Sequence, residues 1–305
     1  MSKKIIFMGT PSYATVIFEK LLEENYDILA LFTQPDKKVG RKQIVTPPHI
    51  KQFAIETGLS LPIYQPNSLK ETSTIQIIEK LNPDFIIVAA YGQILPQDIL
   101  DIAPCINLHA SLLPLYRGAS PIQQCLLNND KFTGVTAMFM EAGLDSGDIL
   151  GLKYLEITPT MDVEYLFDKL SYIASDIIID VLNRFDTIKP NIQDISKVSF
   201  CGKIKKEDGL VDFSSAIQIN LKYKAFRFWP GIFIENGLKL KELTLNESDS
   251  INKSGEILDI KKDYIVVGCG VGSINLTMVQ QPSKKAMNID DYIRGKRLEI
   301  GNIIS

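Results

Sequence analysis

Histidine is scarce in this chain, which has only His49 and His109 among its 305 residues. Cysteine is scarce too, and its four residues form no C-x-x-C pair. They are Cys105, Cys125, Cys201 and Cys269. Zinc sites and disulfide frameworks need these residue types at close spacings. We therefore expect reduced structural thiols and no bound metal.

Long apolar runs are missing as well. The N-terminal run, Ile5 to Met8, ends at Gly9 and is too short for the core of a secretory signal peptide. No stretch approaches the roughly 20 apolar residues that span a bilayer. The sequence therefore predicts a cytoplasmic protein with no membrane partner.

Glycine-rich phosphate loops are also absent. The turn after the first apolar run reads MGTPSYA and lacks the G-x-G-x-x-G spacing of dinucleotide-binding folds. The P-loop signature does not occur anywhere in the sequence. Phosphate chemistry at the first turn is therefore disfavoured.

The chain does have an ordinary globular composition, with 45% hydrophobic and 23% charged residues. Its net charge of −3 is unevenly distributed. From Asp186 onward there are 18 Lys and Arg against 15 Asp and Glu, whereas the preceding part carries a net charge of −6. This asymmetry favours the C-terminal part for contact with a polyanion, although charge scattered over a solvated surface explains the count equally well.

Short apolar runs alternate with helical patterns over the first 185 residues. The runs are bounded by turn residues and lie at Lys4–Met8, Ile28–Thr33, Phe85–Ala89, Ile106–His109 and Val135–Phe139. A longer helical pattern, with apolar residues at steps of three and four, follows Thr160. The alternation predicts an α/β domain with a mostly parallel, doubly wound, Rossmann-like sheet.

The pattern changes near residue 189. A polar, lysine-rich stretch containing Pro190 precedes five short strand patterns separated by glycine turns. Short strands at such close spacing suit a small barrel of the oligonucleotide-binding (OB) type. We therefore predict an N-terminal domain at 1–188, a linker at 189–206 and a C-terminal OB-like β-barrel domain at 207–305.

The stretch INLHASLLPLYRGASP, at 106–121, contains His109. If it begins with a sheet strand, Asn107 and His109 alternate onto one face at the carboxyl end, where open α/β sheets bind ligands. The two polar side chains then point into one crevice. A core histidine satisfied by a backbone carbonyl is the alternative.

A second stretch, EAGLDSGDIL, places Asp145 in a glycine-flanked loop after the strand pattern 135–139. If that strand neighbours the strand of His109, the two loops leave the same edge of the sheet and Asp145 meets His109. An amide, an imidazole and a carboxylate would then converge. The alternative for Asp145 is an Asx turn held by its own backbone.

This trio contains no strong nucleophile. Ser111 lies close to His109 in sequence, but the G-x-S-x-G pattern of a nucleophile elbow is absent. Direct transfer of an acyl group to an amine suits the trio better. Asn107 and His109 would donate hydrogen bonds to the developing oxyanion, while Asp145 would orient a charged imidazolium. The residues leave open which of the three accepts the amine proton.

Several stretches together resemble the folate-dependent formyltransferases. INLHASLLPLYRGASPIQ and TGVTAMFMEAGLDSGDIL resemble their catalytic domain. IIFMGTPSYA, FTQPDKKVGRKQIVTPP, VAAYGQILP, GKIKKEDGLVDF, AFRFWPG and QPSKKAM occur in the order found in members that act on methionyl-tRNA. The likeness covers essentially the whole chain.

The resemblance implies transfer of the formyl group of 10-formyltetrahydrofolate, a co-substrate, to the free amino group of methionine on initiator tRNA, for translation initiation. It makes Asn107, His109 and Asp145 the catalytic set and gives tRNA binding to the C-terminal domain, which suits a monomer. The folate-binding residues that it implies are Ser111, Leu112, Leu113, Pro114, Tyr91 and Gly92.

Basic residues without apolar periodicity occupy the stretch between Gln34 and His49, which suits a phosphate-seeking arm. An ordinary solvated loop is the alternative. The resemblance makes Arg41 the main tRNA reader of this arm. The tRNA-contacting residues implied in the arm and the linker are Lys38, Arg41, Lys42, Lys203 and Lys206.

Two other functions fit parts of the sequence. Sugar-nucleotide N-formyltransferases share the Asn-His-Asp arrangement, but a small sugar acceptor requires neither the basic arm nor the lysine-bearing linker. A non-catalytic RNA-binding protein would explain the OB-like domain but not the intact trio.

Overall fold

The structure is a computed structural model and describes residues 2–40 and 42–304. The α-helices of these residues are α1 (Ser12–Glu23), α2 (His49–Glu56), α3 (Thr72–Leu81), α4 (Gln97–Leu100), α5 (Pro121–Leu127), α6 (Val163–Arg184), α7 (Ala216–Ala225) and α8 (Ile289–Lys296). The first ten strands are β1 (Lys4–Gly9), β2 (Asp27–Phe32), β3 (Lys37–Val39), β4 (Ile44–Thr46), β5 (Ile63–Tyr64), β6 (Phe85–Ala89), β7 (Cys105–His109), β8 (Arg117–Gly118), β9 (Phe132–Phe139) and β10 (Ile149–Glu156). The remaining strands are β11 (Phe200–Cys201), β12 (Ile232–Phe233), β13 (Lys239–Ile251), β14 (Ile257–Ile260), β15 (Ile265–Gly268), β16 (Val271–Gln280) and β17 (Met287–Asn288).

The chain divides into two compact units. Unit 1 comprises Met1–Pro121, Phe132–Ile157 and Leu166–Cys201. Unit 2 comprises Ile122–Lys131, Thr158–Tyr165 and Gly202–Ser305. Each unit therefore draws on three separate stretches of the chain.

A seven-stranded mixed sheet forms the centre of unit 1, in the order β10-β9-β7-β6-β1-β2-β5. The five strands from β7 to β5 along this order are parallel. In contrast, β9 is antiparallel to β7, and β10 is antiparallel to β9. The predicted α/β domain is confirmed, and an antiparallel hairpin at one edge makes its sheet mixed.

The central parallel strands are apolar along their length because both of their faces are covered. In β1, Ile6 and Met8 are fully buried and belong to one core cluster, which also contains Ile86 of β6. The ring of Phe7, between them in sequence, packs 5.3 Å from that of Phe18 in α1. Burial on both faces fixes the register of these strands, and so the positions of residues at their ends.

The long helix predicted after Thr160 is confirmed as α6. Its buried residues within unit 1 recur at steps of three and four, and four of these positions are adjacent pairs. They are Leu166, Leu170, Ser171, Ala174, Ser175, Ile177, Ile178, Val181 and Leu182.

The basic arm contains a short antiparallel hairpin, in which Lys37 of β3 pairs with Thr46 of β4 and Val39 pairs with Ile44. Strands of three residues are too short to produce a recognisable period, so the hairpin leaves no mark in the sequence pattern. The side chains of Val39, Ile44 and Val45 are all more than half exposed.

Unit 2 is built on an antiparallel sheet with the path β12-β13-β16-β15-β14, and β17 pairs with β16. Helix α7 packs on β13, and α8 packs on β16. Among the described strands, no pairing joins β12 to β14, so the sheet is not closed into a barrel. The predicted succession of strands is confirmed, and the structure shows these strands to be antiparallel, whereas closure into a barrel is not confirmed.

None of the helices in the described part of the chain combines the length and hydropathy needed to cross a membrane.

Candidate active site

Strand β7 carries Asn107 and His109 and lies between β6 and β9. Residues two apart on a strand face the same side of the sheet, so both side chains project from one face. Asn107 pairs with Met138 of β9, and His109 pairs with Thr136. His109 is 6% exposed. The predicted placement of Asn107 and His109 on one strand is confirmed.

Asp145 lies in the loop between β9 and β10. Because β9 is antiparallel to β7, its last residue, Phe139, pairs with Ile106 near the amino end of β7. The prediction that this loop leaves the same edge of the sheet as the His109 loop is therefore wrong. The loop nevertheless folds back, and Asp145 Oδ2 lies 3.7 Å from His109 Nδ1.

The path of this loop depends on two unusual backbone positions. Asp145 has φ +47°, in the left-handed region that residues with a side chain adopt only at a cost. A Cβ atom on Gly147 would lie 2.0 Å from the carbonyl oxygen of Phe139, so only glycine fits there. The loop therefore needs contacts elsewhere to hold Asp145 in place.

The Asp145 carboxylate accepts hydrogen bonds from two other segments. Oδ1 accepts from Asn107 Nδ2 at 3.4 Å, and Oδ2 accepts from the backbone N–H of Gly118 at 2.8 Å. An Asx turn would instead direct the carboxylate to its own loop. Asp145 thus joins the amide and the imidazole that the sequence predicts as its partners.

The His109 ring is held on both sides. Nε2 lies 2.9 Å from the carbonyl oxygen of Tyr116, while Nδ1 faces Asp145. A carbonyl oxygen only accepts hydrogen bonds, so Nε2 carries a proton in this arrangement. On the other side of the ring, the Asp145 carboxylate can only accept a hydrogen bond. The core-histidine alternative therefore describes only one side of the ring.

The loop Ser111–Pro114 follows β7 directly and is fixed by hydrogen bonds. Ser111 Oγ donates to the carbonyl oxygen of Leu115 at 2.6 Å. The carbonyl oxygen of Ser111 accepts from Thr136 Oγ1 at 2.7 Å, and that hydroxyl accepts from the Leu113 N–H at 3.1 Å. The Ser111 hydroxyl is buried and engaged, which disfavours a nucleophilic role.

Tyr91 and Gly92 follow β6. The Tyr91 side chain is 2% exposed within the core of unit 1, and burial raises the pKa of its phenol to about 12. Its carbonyl oxygen accepts from Thr10 Oγ1 at 3.0 Å and from Gln34 Nε2 at 3.1 Å. A ligand at this turn would therefore meet the backbone of Tyr91 and Gly92, not the phenol ring.

The lysines predicted to contact tRNA are exposed. Lys38 lies on β3, and Lys42 lies in the turn that leads to β4. Lys203 follows β11, and Lys206 begins a short 3-10 turn. Arg41 lies outside the described residues. Direct contacts thus bring Asn107, His109 and Asp145 together, whereas these lysines lie on the surface.

Three residues that support the site were not identified from the sequence. Gln193 is 4% exposed, and its amide donates to the carbonyl oxygen of Asp145. Ser199 Oγ accepts from the N–H of Tyr116 at 2.9 Å, and Cys201 Sγ donates to the Tyr116 carbonyl oxygen at 3.3 Å. Their stretch has no apolar periodicity, so no pattern in the sequence marks them.

The four cysteines form no disulfide and are buried. Burial raises the pKa of Cys105 to about 12. Burial is also the main reason why the pKa of Cys269 is raised to about 11, so both thiols stay protonated at neutral pH. Within the described residues, no cluster of three or more His, Cys, Asp and Glu side chains is arranged to hold a metal ion.

Comparison with known families gives matches over most of the chain. Residues 3–182 match the family described as formyl transferase, and residues 203–297 match its C-terminal domain. A methionyl-tRNA formyltransferase of a Nitratiruptor species is 55% identical over 299 residues, which cover 98% of this chain and 99% of the relative. A methionyl-tRNA formyltransferase of Sulfurimonas denitrificans is 54% identical over 303 residues, which cover 99% of this chain and all of the relative.

Solved structures share the fold. HypX from Aquifex aeolicus in complex with tetrahydrofolic acid matches with a TM-score of 0.67 at 14% identity, covering 96% of this chain and 47% of that one. An N-formyltransferase from Helicobacter canadensis, in complex with folinic acid and dTDP-3-aminofucose, matches with a TM-score of 0.66 at 18% identity, covering 90% of this chain and 99% of that one. At these identities the likeness concerns the fold alone. Taken with the two family matches and the two full-length relatives, it leads to one conclusion: the chain belongs to the formyl transferase family.

Proposed function

We propose that the protein transfers the formyl group of 10-formyltetrahydrofolate to the amino group of methionine carried on initiator tRNA, for translation initiation. The observation that carries the proposal is the Asp145 carboxylate, which faces both the Asn107 amide and the His109 ring. Two relatives more than half identical over nearly the full chain are methionyl-tRNA formyltransferases, which supports the choice of acceptor.

The trio is suited to direct attack of the amine on the formyl carbon. As the new C–N bond forms, the formyl oxygen gains negative charge, and Asn107 and His109 are the donors for it. One such donor contributes about 3 to 4 kcal/mol to lowering the barrier. Because Nε2 of His109 bonds Tyr116 and Nδ1 faces Asp145, the ring must exchange one of these partners for the oxyanion.

Collapse of that intermediate breaks the bond between the formyl carbon and N10 of the folate. N10 then takes up a proton, and the former amine gives one up. The transfer needs no enzyme nucleophile, which agrees with the engaged hydroxyl of Ser111. Asp145 keeps the ring of His109 oriented through both steps.

We infer that the folate lies against the loop formed by Ser111, Leu112, Leu113 and Pro114. The loop directly follows β7, so a donor held there has its formyl group beside His109. The backbone at Tyr91 and Gly92 would line the pterin pocket. The tetrahydrofolic acid in the HypX complex supports a folate ligand for this fold.

The tRNA contacts are assigned on chemistry and resemblance. Lys38, Arg41 and Lys42 in the arm, and Lys203 with Lys206 after β11, supply the cationic groups that phosphates require. In this proposal residues 1–188, a doubly wound Rossmann-like domain, carry out catalysis. Residues 207–305, an OB-type domain, bind tRNA, and 189–206 link the two. The protein works as a monomer in the cytoplasm, where its tRNA substrate is used.

The direct test mixes the purified protein with 10-formyltetrahydrofolate and methionyl initiator tRNA, and measures formyl-methionine after the ester is hydrolysed. We expect one formyl group per acceptor and no product when either substrate is omitted. A nucleotide-linked amino sugar serves as the competing acceptor. Formylation of the sugar without formylation of the tRNA would assign the protein to the other branch of the family.

A further inference from the structure

The segment that follows α6 lies along both loops of the active site. We call residues 191–201 the strap. Asn191 exchanges two backbone hydrogen bonds with Ile149, which closes the Asp145 loop. At the other end, the Ser199 carbonyl accepts from the Arg117 N–H at 2.9 Å, and β11 pairs with β8 in parallel. The strap thus contacts the two loops that hold the trio, all within unit 1.

Gln193 makes the central contacts of the strap. Its Oε1 accepts from Arg117 Nε at 3.1 Å and from Arg117 Nη2 at 2.7 Å. Its Nε2 donates to the carbonyl oxygens of Asp145, at 2.9 Å, and Gly147, at 2.7 Å. An amide can accept two and donate two hydrogen bonds, so Gln193 uses its full capacity while 4% exposed.

The partners also fix which way the amide points. A rotated amide would place its N–H groups against the guanidinium of Arg117 and its oxygen against two carbonyl oxygens. The amide nitrogen and the amide oxygen of Gln193 would then each meet a group that repels it. The orientation is therefore determined by chemistry, and a carboxylate of the same shape could satisfy only the Arg117 side.

These bonds close a ring around Asp145. Its backbone carbonyl is held by Gln193, Gln193 holds Arg117, and the next residue, Gly118, donates its N–H to the Asp145 carboxylate. Asp145 has a left-handed backbone and needs such support to stay in place. The ring fixes the backbone and the side chain of one residue relative to each other.

We infer that Gln193 is a positioning residue, which sets where the Asp145 carboxylate lies relative to His109 and Asn107. This inference rests on the proposed function. Gln193 does not touch the reacting groups, and it acts through Asp145. Loss of the ring should reduce turnover without weakening the binding of tRNA.

The test compares Gln193→Glu and Gln193→Met with Asp194→Ala. Glu keeps the acceptor for Arg117 and removes both N–H donors. Met has a similar length and removes the acceptor as well as the donors. Asp194 is the matched control, because it caps a 3-10 turn of the same strap through the Ser196 N–H. We expect the Gln193 variants to lower kcat by roughly 10- to 100-fold, the effect of misplacing a reacting group by about 1 Å, with KM for methionyl-tRNA unchanged. The control should keep wild-type kcat.

A second readout does not depend on turnover. The chain has two histidines, so ring nitrogen-15 spectra contain two sets of signals, which His49→Gln assigns. The signals of His109 should move in both Gln193 variants, because its Nδ1 loses a fixed carboxylate partner. They should stay in place in Asp194→Ala. This separates the two proposals: absence of formyl-methionine with wild-type protein defeats the proposed function, while the spectra still test the position of Asp145.

Two outcomes would overturn the inference. One is wild-type kcat together with unchanged His109 signals in both Gln193 variants. The other is loss of the folded state in both variants while Asp194→Ala stays folded, measured by thermal melting, since Gln193 would then be a residue for stability alone.

Discussion

The two histidines lie in surroundings that differ in charge and in access to water. His49, at the start of α2, is exposed, and its Nδ1 lies 2.8 Å from the hydroxyl oxygen of Thr15. His109 is buried, and its Nδ1 faces the Asp145 carboxylate. A hydroxyl can donate or accept a hydrogen bond, whereas a carboxylate only accepts one. The same side chain is thus a surface residue in one region and a candidate catalyst in the other.

Removing the two rings in turn should give the largest contrast. We expect His109→Ala to lower turnover by about 100- to 1,000-fold, the range for loss of one hydrogen-bond donor to the oxyanion. His49→Ala should keep turnover close to wild type, since its ring bonds only a hydroxyl among the contacts above. Formyl-methionine production by the two variants measures the contrast. Near-normal turnover in His109→Ala would remove the catalytic assignment.

The Asp145 carboxylate distinguishes the surroundings of His109 from those of His49, so the next test removes its charge. Asp145→Asn keeps the size of the side chain but replaces the carboxylate, and we expect turnover to fall by roughly 100- to 1,000-fold, as for a lost group that stabilises transition-state charge. Asp148→Asn, a carboxylate of the same loop, serves as the control and should stay near wild type. tRNA affinity, measured by filter binding, should be the same in both. Equal losses in the two variants would mean that the loop needs its acidic residues for folding only.

Basic residues outside the trio should affect binding and not chemistry. Arg41→Ala and Lys38→Ala should raise KM for methionyl-tRNA several-fold with little change in kcat or in folate binding. Each lost phosphate contact should also reduce the slope of log affinity against log salt by about one. Lys70→Ala, an exposed lysine outside the arm, is the control. A wild-type salt slope in the arm variants would show that the arm does not contact phosphate.

The smallest effect is expected when the folded protein is treated with a reagent that attacks cysteine thiols. Burial, which raises the pKa of Cys105 to about 12, keeps it in the unreactive thiol form at pH 8, because only the thiolate attacks. Burial, more than the nearby Asp145 carboxylate, also raises the pKa of Cys201, which lies beside the site. Folded protein should therefore give almost no fast reaction with an aromatic disulfide reagent, and unfolded protein should release four equivalents. A fast-reacting thiol in the folded state would contradict the burial of all four.

The sheet and the trio could be predicted because their signals are local. A short apolar run bounded by turn residues, such as Phe85–Ala89, is typical of a buried strand, and the structure has a strand with the same bounds. Asn107 and His109 share a face because they are two apart on one strand, which holds wherever that strand lies. Asp145 follows a strand that does neighbour theirs.

The direction of β9 and the role of the strap could not be predicted, because both depend on distant contacts. The direction of a strand depends on the path by which the chain returns to the sheet. The sequence of β9 is compatible with either direction. Apolar residues are usually buried and polar residues exposed, but the strap reverses this pattern. Ile192 and Ile195 are 85% and 84% exposed, while Gln193 is buried. Burial of Gln193 is stabilised by four hydrogen bonds, and no hydrophobic pattern reports such a residue.

The position of the strap in the chain has a consequence for synthesis on the ribosome. Gln193 comes 48 residues after Asp145, so the nascent chain emerges with the whole trio well before the amide that braces it. Domains generally fold from the N-terminus as they emerge. A growing chain that ends before Gln193 therefore carries Asn107, His109 and Asp145 without the brace, and the ring around Asp145 can close only once Gln193 has left the tunnel.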